Sequence, residues 1–200
     1  MAFGFDDFLT LSRDAVTRPA QAVPRILNLA PPVEGRWMAA AVVVALSAIL
    51  AWLASQLFPV PVDTPWSPLT RSPLTMAGVQ LVVLIVVSGM VARVGQLFGG
   101  KGSFADALWL IVWIDAMMLV IQVAQVLLML IFPLTAEVLG LVAVGLFFWL
   151  VVSFTKELHG FAHIGLVAIG AVGTLIVASL ILSLALASLG ILPPLEAMPQ

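Results

Sequence analysis

The amino-acid sequence predicts an all-α integral membrane protein, a bundle of five transmembrane helices with a short amphipathic N-terminal segment. Of its 200 residues, 62% are hydrophobic and 9% are charged, and the mean hydropathy is +1.20. An average soluble domain is about half apolar and about a quarter charged. Because so few charged side chains cannot cover a water-exposed surface, we expect the apolar excess to face lipid.

The composition also excludes several classes of protein. A net charge of −2 provides no broad basic surface for nucleic acid. The chain has no cysteine, so disulfides, iron–sulfur clusters and cysteine nucleophiles are excluded. Its start contains Asp6 and Asp7 and lacks the basic and apolar regions of a secretory signal peptide. We therefore expect the first apolar stretch to be retained as a membrane helix.

Residues 1–36 are predicted to form a cytoplasmic amphipathic segment. Apolar side chains recur there at helical spacing, at Phe5, Phe8, Leu9 and Val16. Pro19 ends this stretch, and a second short apolar pattern follows it. Two interpretations stay open: helices lying on the cytoplasmic membrane surface, or helices packed under the bundle.

Five stretches are long and apolar enough to cross a bilayer, which needs about 20 residues of helix. We expect the spans at about 37–58, 74–94, 104–132, 138–154 and 161–192, within a transmembrane domain of residues 37–192. The fifth stretch is long enough to require a tilt or a bend. Five prolines make residues 59–73 a stiff loop, and residues 193–200 form a short outer tail.

The distribution of basic residues predicts the orientation. Seven of the eight Lys and Arg residues fall on one side of the five spans: Arg13, Arg18, Arg25, Arg36, Arg93, Lys101 and Lys156. The other side has only Arg71. By the positive-inside rule, the N-terminus is cytoplasmic and the C-terminus lies outside.

Asp115 is the acidic residue inside the third span, where a carboxylate is costly and usually has a role. Counting along antiparallel helices places Ser88 at about the same depth, and Gln80 level with Gln122 and near Gln125. These five residues form a candidate intramembrane polar cluster. It is either a proton or cation site, or a hydrogen-bonded clamp between helices.

A glycine-rich stretch between the second and third spans invites comparison with a phosphate-binding loop. That loop needs Ser or Thr directly after its lysine, but here Gly102 separates Lys101 from Ser103. We therefore predict no nucleotide site, and instead a tight glycine turn with Ser103 capping the third span.

His159 and His163 are four residues apart, with Glu157 nearby, so a metal site is conceivable. A break at Gly160 favours an interfacial turn instead. No cofactor or metal site is predicted. No catalytic triad, paired catalytic carboxylates or metalloprotease helix is found, which indicates a protein that is not an enzyme.

Two patches resemble the Yip family of five-span membrane proteins. The first is the glycine-rich turn that opens the third span: Gly99, Gly100, Lys101, Gly102, Ser103 and Phe104, followed by Ala105, Asp106 and Ala107. The second lies between spans four and five: Glu157, Leu158, His159, Gly160 and Phe161. The resemblance covers about residues 20–190, and is greater to the bacterial branch of the family.

The resemblance implies five spans, a cytoplasmic N-terminus and no catalytic residues. Eukaryotic members interact with Rab-type GTPases in the Golgi and endoplasmic reticulum, a property not carried over to this chain. Its N-terminal segment is short, and the bacterial branch would place it in the inner (plasma) membrane. We expect a scaffold, an accessory subunit or a membrane-organising factor that contacts the lipid bilayer and other membrane proteins or itself. The alternative is a small ion- or solute-translocating protein using Asp115 and the intramembrane glutamines.

Overall fold

The structure, a computed structural model, describes residues 3–58 and 72–188, which contain seven α-helices and no strand. The helices are α1 (Phe5–Thr17), α2 (Pro19–Asn28), α3 (Val33–Leu57), α4 (Pro73–Leu97), α5 (Phe104–Ile131), α6 (Pro133–His159) and α7 (Ile164–Ser188). Residues 59–71 and 189–200 lie outside the described part of the chain, and they include most of the predicted proline-rich loop (residues 59–73) and the whole predicted outer tail (residues 193–200).

Helices α3 to α7 are each long and apolar enough to span a bilayer, with mean hydropathies of 2.2 to 2.5 over their most apolar windows. Their lengths of 25 to 28 residues exceed the roughly 20 residues that the hydrocarbon core requires. The prediction of an all-α protein with five membrane-spanning helices is confirmed. The five helices show little amphipathicity, since most of their surface is apolar in every direction.

The connection between α5 and α6 is shorter than the sequence suggested. Helix α6 begins at Pro133 rather than near residue 138, so Phe132 alone joins the two helices. Proline is well suited to this first helical position, because its missing N–H would have no intrahelical partner there. At its other end α6 extends to His159 and stops at Gly160, whose φ of 71° is left-handed.

Helix α5 lies at the centre of the bundle and packs against α3, α4 and α6. Its side chains Leu108, Leu110 and Ile114 are among the most completely buried in the protein. Helix α7 lies at the periphery, against α6 and α4, and most of its apolar side chains face outward. The contacts that hold the bundle together are therefore concentrated on α5.

The two N-terminal helices form a hairpin that packs against the bundle. Helices α1 and α2 contact each other, and both contact α6. Ala15 in α1 and Ala22 and Ile26 in α2 have no exposed surface. Of the two interpretations of this amphipathic segment, the structure therefore shows the one in which it packs against the bundle.

Candidate functional site

Three parts of the chain meet at one end of the bundle: the N-terminal hairpin, the α4–α5 turn (residues 98–103) and the α6–α7 turn (residues 160–163). A hydrogen bond between His159 and Gly102 joins the two turns, and an ion pair between Arg36 and Asp106 joins the starts of α3 and α5. We call this the basic end, because these segments and the adjoining helix ends, which include Arg36 of α3, Arg93 of α4 and Lys156 of α6, contain seven of the eight Lys and Arg residues. The two Yip-like patches lie side by side here.

The α4–α5 turn is a tight glycine turn, as predicted. Gly99 has a φ of 86°, a conformation that glycine adopts without steric cost. The Gly100 N–H donates to the Gly95 carbonyl over 2.8 Å, which closes the end of α4. Ser103 caps α5, since its hydroxyl accepts from the Asp106 N–H at 3.1 Å. Both the turn and its cap were predicted from the sequence.

His159, at the end of α6, is the polar side chain that joins the two turns. Its Nδ1 accepts a hydrogen bond from the Gly102 N–H at 3.1 Å. Its Nε2 lies 3.0 Å from the Val91 carbonyl, which can only accept, so Nε2 carries the proton and donates. The residue is 4% exposed, and both ring nitrogens are hydrogen-bonded to backbone groups. His163 is exposed beyond the turn.

Three glycines make room for the His159 ring, and we call Gly95, Gly100 and Gly102 the histidine cradle. A Cβ at Gly95 or Gly100 would overlap the imidazole, and one at Gly102 would lie 2.6 Å from Cγ of Leu158. The cradle therefore requires glycine for close approach rather than for backbone conformation. Sequence reasoning identified both patches but missed this contact, which depends on how α4 packs against α6.

Further packing and charge pairing are found around the carboxyl end of α6. The Phe161 ring stacks on the imidazole with centroids 5.4 Å apart. Glu157 forms an ion pair with Lys156 at 2.7 Å. Lys101, in the neighbouring turn, is exposed.

Two tryptophans bind the N-terminal hairpin to the bundle. The Trp109 indole N–H donates to the Ile26 carbonyl at 2.8 Å, and that of Trp149 donates to the Val16 carbonyl at 3.0 Å. Each bond ties the carboxyl end of one hairpin helix to a membrane-spanning helix, α5 or α6. Among the described residues the Val16 carbonyl at the end of α1 has no backbone partner, so the indole satisfies a group that would otherwise need water. The Ile26 carbonyl also accepts from the Leu29 N–H at 3.2 Å. Sequence reasoning did not identify either tryptophan.

Charged side chains fix the same region. Arg36 at the start of α3 reaches Asp106 at the start of α5 with an N–O distance of 2.9 Å. Asp106 also accepts from the Ser103 hydroxyl at 2.7 Å. Within the hairpin, Arg25 of α2 pairs with Asp14 of α1 at 3.2 Å. The first pair is the more sheltered, since the Arg36 side chain is only 14% exposed.

Three members of the candidate intramembrane polar cluster each donate a hydrogen bond to a different backbone carbonyl. Ser88 donates to the Leu84 carbonyl of its own helix at 2.7 Å. The Gln122 amide donates to the Ser47 carbonyl at 3.3 Å, and the Gln125 amide to the Ala136 carbonyl at 3.2 Å. The two glutamines thus tie α5 to α3 and to α6.

Asp115 and Gln80 are half-buried on α5 and α4. Within the described ranges, no hydrogen bond joins either residue to another member of the cluster. Gln122 and Gln125 also line a groove of about 400 Å³ between α5 and α6. A shared site for all five residues is still a prediction.

Five apolar spanning helices and an interlocked basic end define a multi-pass integral membrane protein built around a helical bundle. The model of the Yip1 domain family matches residues 13–186, from the middle of α1 almost to the end of α7. The chain therefore belongs to the Yip1 domain family, and the resemblance found in the sequence is confirmed. No curated protein and no solved structure matches it.

Proposed function

We propose that this Yip1-domain protein is a non-enzymatic membrane scaffold, or an accessory subunit of a larger assembly. Its basic end contacts partner proteins, and its spanning helices anchor the assembly in the bilayer. The observation that carries the proposal is how polar groups are used. In the described part of the chain, the side chains of Ser88, Gln122 and Gln125 inside the bundle donate to backbone carbonyls, a pattern that serves packing rather than chemistry.

The basic end supports this proposal because its chain segments are fixed relative to one another and because it has exposed apolar and basic side chains. The histidine cradle, the two indole hydrogen bonds and the Arg36–Asp106 pair fix three chain segments relative to one another. Beside them, Leu97 and Phe98 are 83% and 75% exposed, close to the exposed Lys101. An apolar pair next to a basic residue suits contact with a partner at the membrane surface.

We place the basic end in the cytoplasm and the other end of the bundle outside, by the excess of Lys and Arg. In a bacterial host this orientation corresponds to the inner membrane. We keep the division into an amphipathic segment (residues 1–36) and a transmembrane domain (residues 37–192) as part of this proposal, with helix α3 beginning slightly earlier, at Val33. The hairpin would then lie at the level of the cytoplasmic leaflet, beside the ends of α5 and α6.

A second candidate function is translocation of an ion or small solute. The half-buried carboxyl of Asp115, with no hydrogen bond among the described residues, is the observation that favours it. A transport pathway would normally show a series of polar side chains with free donors or acceptors. The neighbouring glutamines instead use their amide N–H groups in helix packing.

The scaffold proposal is tested by isolating the protein from its native membrane in mild detergent and weighing the complex by native mass spectrometry. We expect a stoichiometric partner, either another membrane protein or further copies of the chain. Leu97→Ser combined with Lys101→Glu should release it. The matched control is Leu134→Ser, which changes a leucine that is 74% exposed at the opposite end. A solitary chain that moves a solute across liposomes would contradict the proposal.

A further inference from the structure

A cleft of about 560 Å³ lies between α4, α6 and α7, beside the basic end. Its wall is mainly aliphatic, with Val87 and Val94 from α4, Val151 from α6 and Val167 from α7. Two threonines also line it, but each donates its hydroxyl to a carbonyl of its own helix. The wall therefore offers an apolar surface, and its volume is in the range of small-molecule sites, roughly 300–1,000 Å³.

The length of the cleft suits an extended chain. Its lining on α4 runs from Val87 to Phe98, a length of about 16 Å at the helical rise. A hydrocarbon chain can lie along such a wall, because its methylene groups pack against apolar side chains at about 3.5–4.0 Å.

The surroundings also favour hydrocarbon. The three helices that form the cleft span the membrane, so the medium next to it is made of acyl chains. Water would find few partners there, since apolar cavities stay dry. Filling the cleft restores the dispersion contacts that its lining would otherwise lack.

The charge at the mouth of the cleft indicates the headgroup. Phe98 in the lining is three residues from Lys101, and Thr155 is next to Lys156. Lys156 is compensated by Glu157, whereas the exposed Lys101 has no ion pair among the described residues. Uncompensated basic groups beside a cleft between membrane helices attract anionic lipid headgroups.

We propose that the cleft binds one acyl chain of an anionic glycerophospholipid, whose phosphate lies at the basic end near Lys101. The lipid would fill the gap between the peripheral α7 and the rest of the bundle. This binding site goes beyond the scaffold function, and either can hold without the other.

The test uses the full chain, reconstituted in vesicles of equal phosphatidylglycerol and phosphatidylcholine, extracted in mild detergent and examined by native mass spectrometry. Gly170 lines the cleft, and a Cβ there meets no atom within 4 Å, so we use Gly170→Leu to place side-chain volume in the cleft. Gly173→Leu is the matched control, because Gly173 has equally open surroundings on the same helix but does not line the cleft. Wild type and Gly173→Leu should retain phosphatidylglycerol. Gly170→Leu should retain about tenfold less, a loss of about 1.4 kcal/mol of binding free energy.

Lys101→Gln tests the headgroup separately. It should keep a bound lipid but lose the preference for phosphatidylglycerol over phosphatidylcholine. Equal retention by all variants, or equal loss in both glycine variants, would overturn the proposal. A change of oligomeric state in Gly170→Leu without a change in lipid would show that a second copy occupies the cleft. If Gly170→Leu does not fold, Ala171→Leu, also in the lining, replaces it under the same criteria.

Discussion

At the scale of single residues, His159 shows how a buried polar group is accommodated at a helix end. Its two ring nitrogens bond to backbone groups on α4 and on the α4–α5 turn. A buried donor or acceptor left unpaired costs about 1–3 kcal/mol, and these two hydrogen bonds avoid that cost. The space for the ring exists only because the three neighbouring positions are glycine. The ring and its cradle should therefore respond to mutation as one unit.

Gly95→Ala should destabilise the protein, because the new Cβ would overlap the His159 ring. Overpacking of this kind typically costs about 1–3 kcal/mol. The matched control is Gly78→Ala on the same helix, where a Cβ meets no atom within 4 Å. That change should leave the Tm equal or higher, since alanine is the better helix former by up to ~1 kcal/mol. The Tm of the purified protein in detergent gives the comparison.

His159→Ala tests whether the imidazole is the group that the new Cβ overlaps. If the clash is with the imidazole, the double variant with Gly95→Ala should lose less stability than the sum of the single variants. Strict additivity, or equal Tm values for Gly95→Ala and Gly78→Ala, would show that the cradle does not hold the ring as described.

Asp115→Asn separates the two interpretations of the intramembrane carboxyl. The clamp interpretation, which agrees with the scaffold proposal, predicts a fall of about 0.5–1 kcal/mol in the free energy of unfolding and no change in flux. The ion-site interpretation predicts that flux across liposomes is lost while the fold is retained. Proton and cation flux is measured with wild type and variant in the same vesicles, and Gln80→Leu serves as a second polar deletion at a half-buried position. Flux in wild type that Asp115→Asn abolishes would favour the transporter.

Residue roles were predictable from the sequence where they depend on local geometry alone. Ser103 as a helix cap and the glycine turn before it depend on neighbouring positions only, and both are confirmed. Ser88 was placed at the depth of Asp115 by counting, but a serine in a helix can instead donate to the carbonyl four residues back. It does so here, to Leu84. The His159 contacts cross 57 and 68 residues of sequence, and no local pattern fixes them.

At the scale of helices, the N-terminal hairpin is held by small buried residues and by two indole donors. Ala15 and Ala22 have no exposed surface, so the hairpin packs closely against the bundle. Trp109 and Trp149 then fix its two helix ends. Amphipathicity alone could not reveal this packing, because a helix on lipid and a helix on protein need the same apolar stripe. The five spans were predictable, since their overall hydrophobicity is independent of which neighbour each one meets.

Ala22→Leu should loosen the hairpin by overfilling this interface. Ala20→Leu is the matched control, because Ala20 is exposed on the same helix. Undocking would expose the backbone around Arg13 and Arg25 to trypsin, so the first variant should be cleaved several-fold faster in detergent while the control matches wild type. Mass spectrometry of the fragments locates the cut. Equal cleavage of both variants would mean that the hairpin lies on the membrane surface without packing against the bundle.

At the scale of the whole molecule, the two ends of the bundle differ in charge. The basic end, with the helix ends that adjoin it, contains seven of the eight Lys and Arg residues, and the proposed partner contacts and lipid headgroup both lie at it. Its orientation in the membrane decides which compartment supplies the partner and which leaflet supplies the lipid. Because a cytoplasmic excess of Lys and Arg sets the topology of most membrane proteins, we expect this end to be cytoplasmic.

The orientation is testable because the chain has no cysteine, so each single substitution introduces a unique thiol. Lys101→Cys places one at the basic end and Phe132→Cys places one at the opposite end, and both positions are exposed. A membrane-impermeant maleimide added to intact cells should label Phe132→Cys directly, but Lys101→Cys only after permeabilisation. Ser88→Cys, at a fully buried position, controls for unfolding during labelling and should stay unlabelled. The reverse pattern would place the basic end outside, and the partner and the anionic lipid would then have to come from that side.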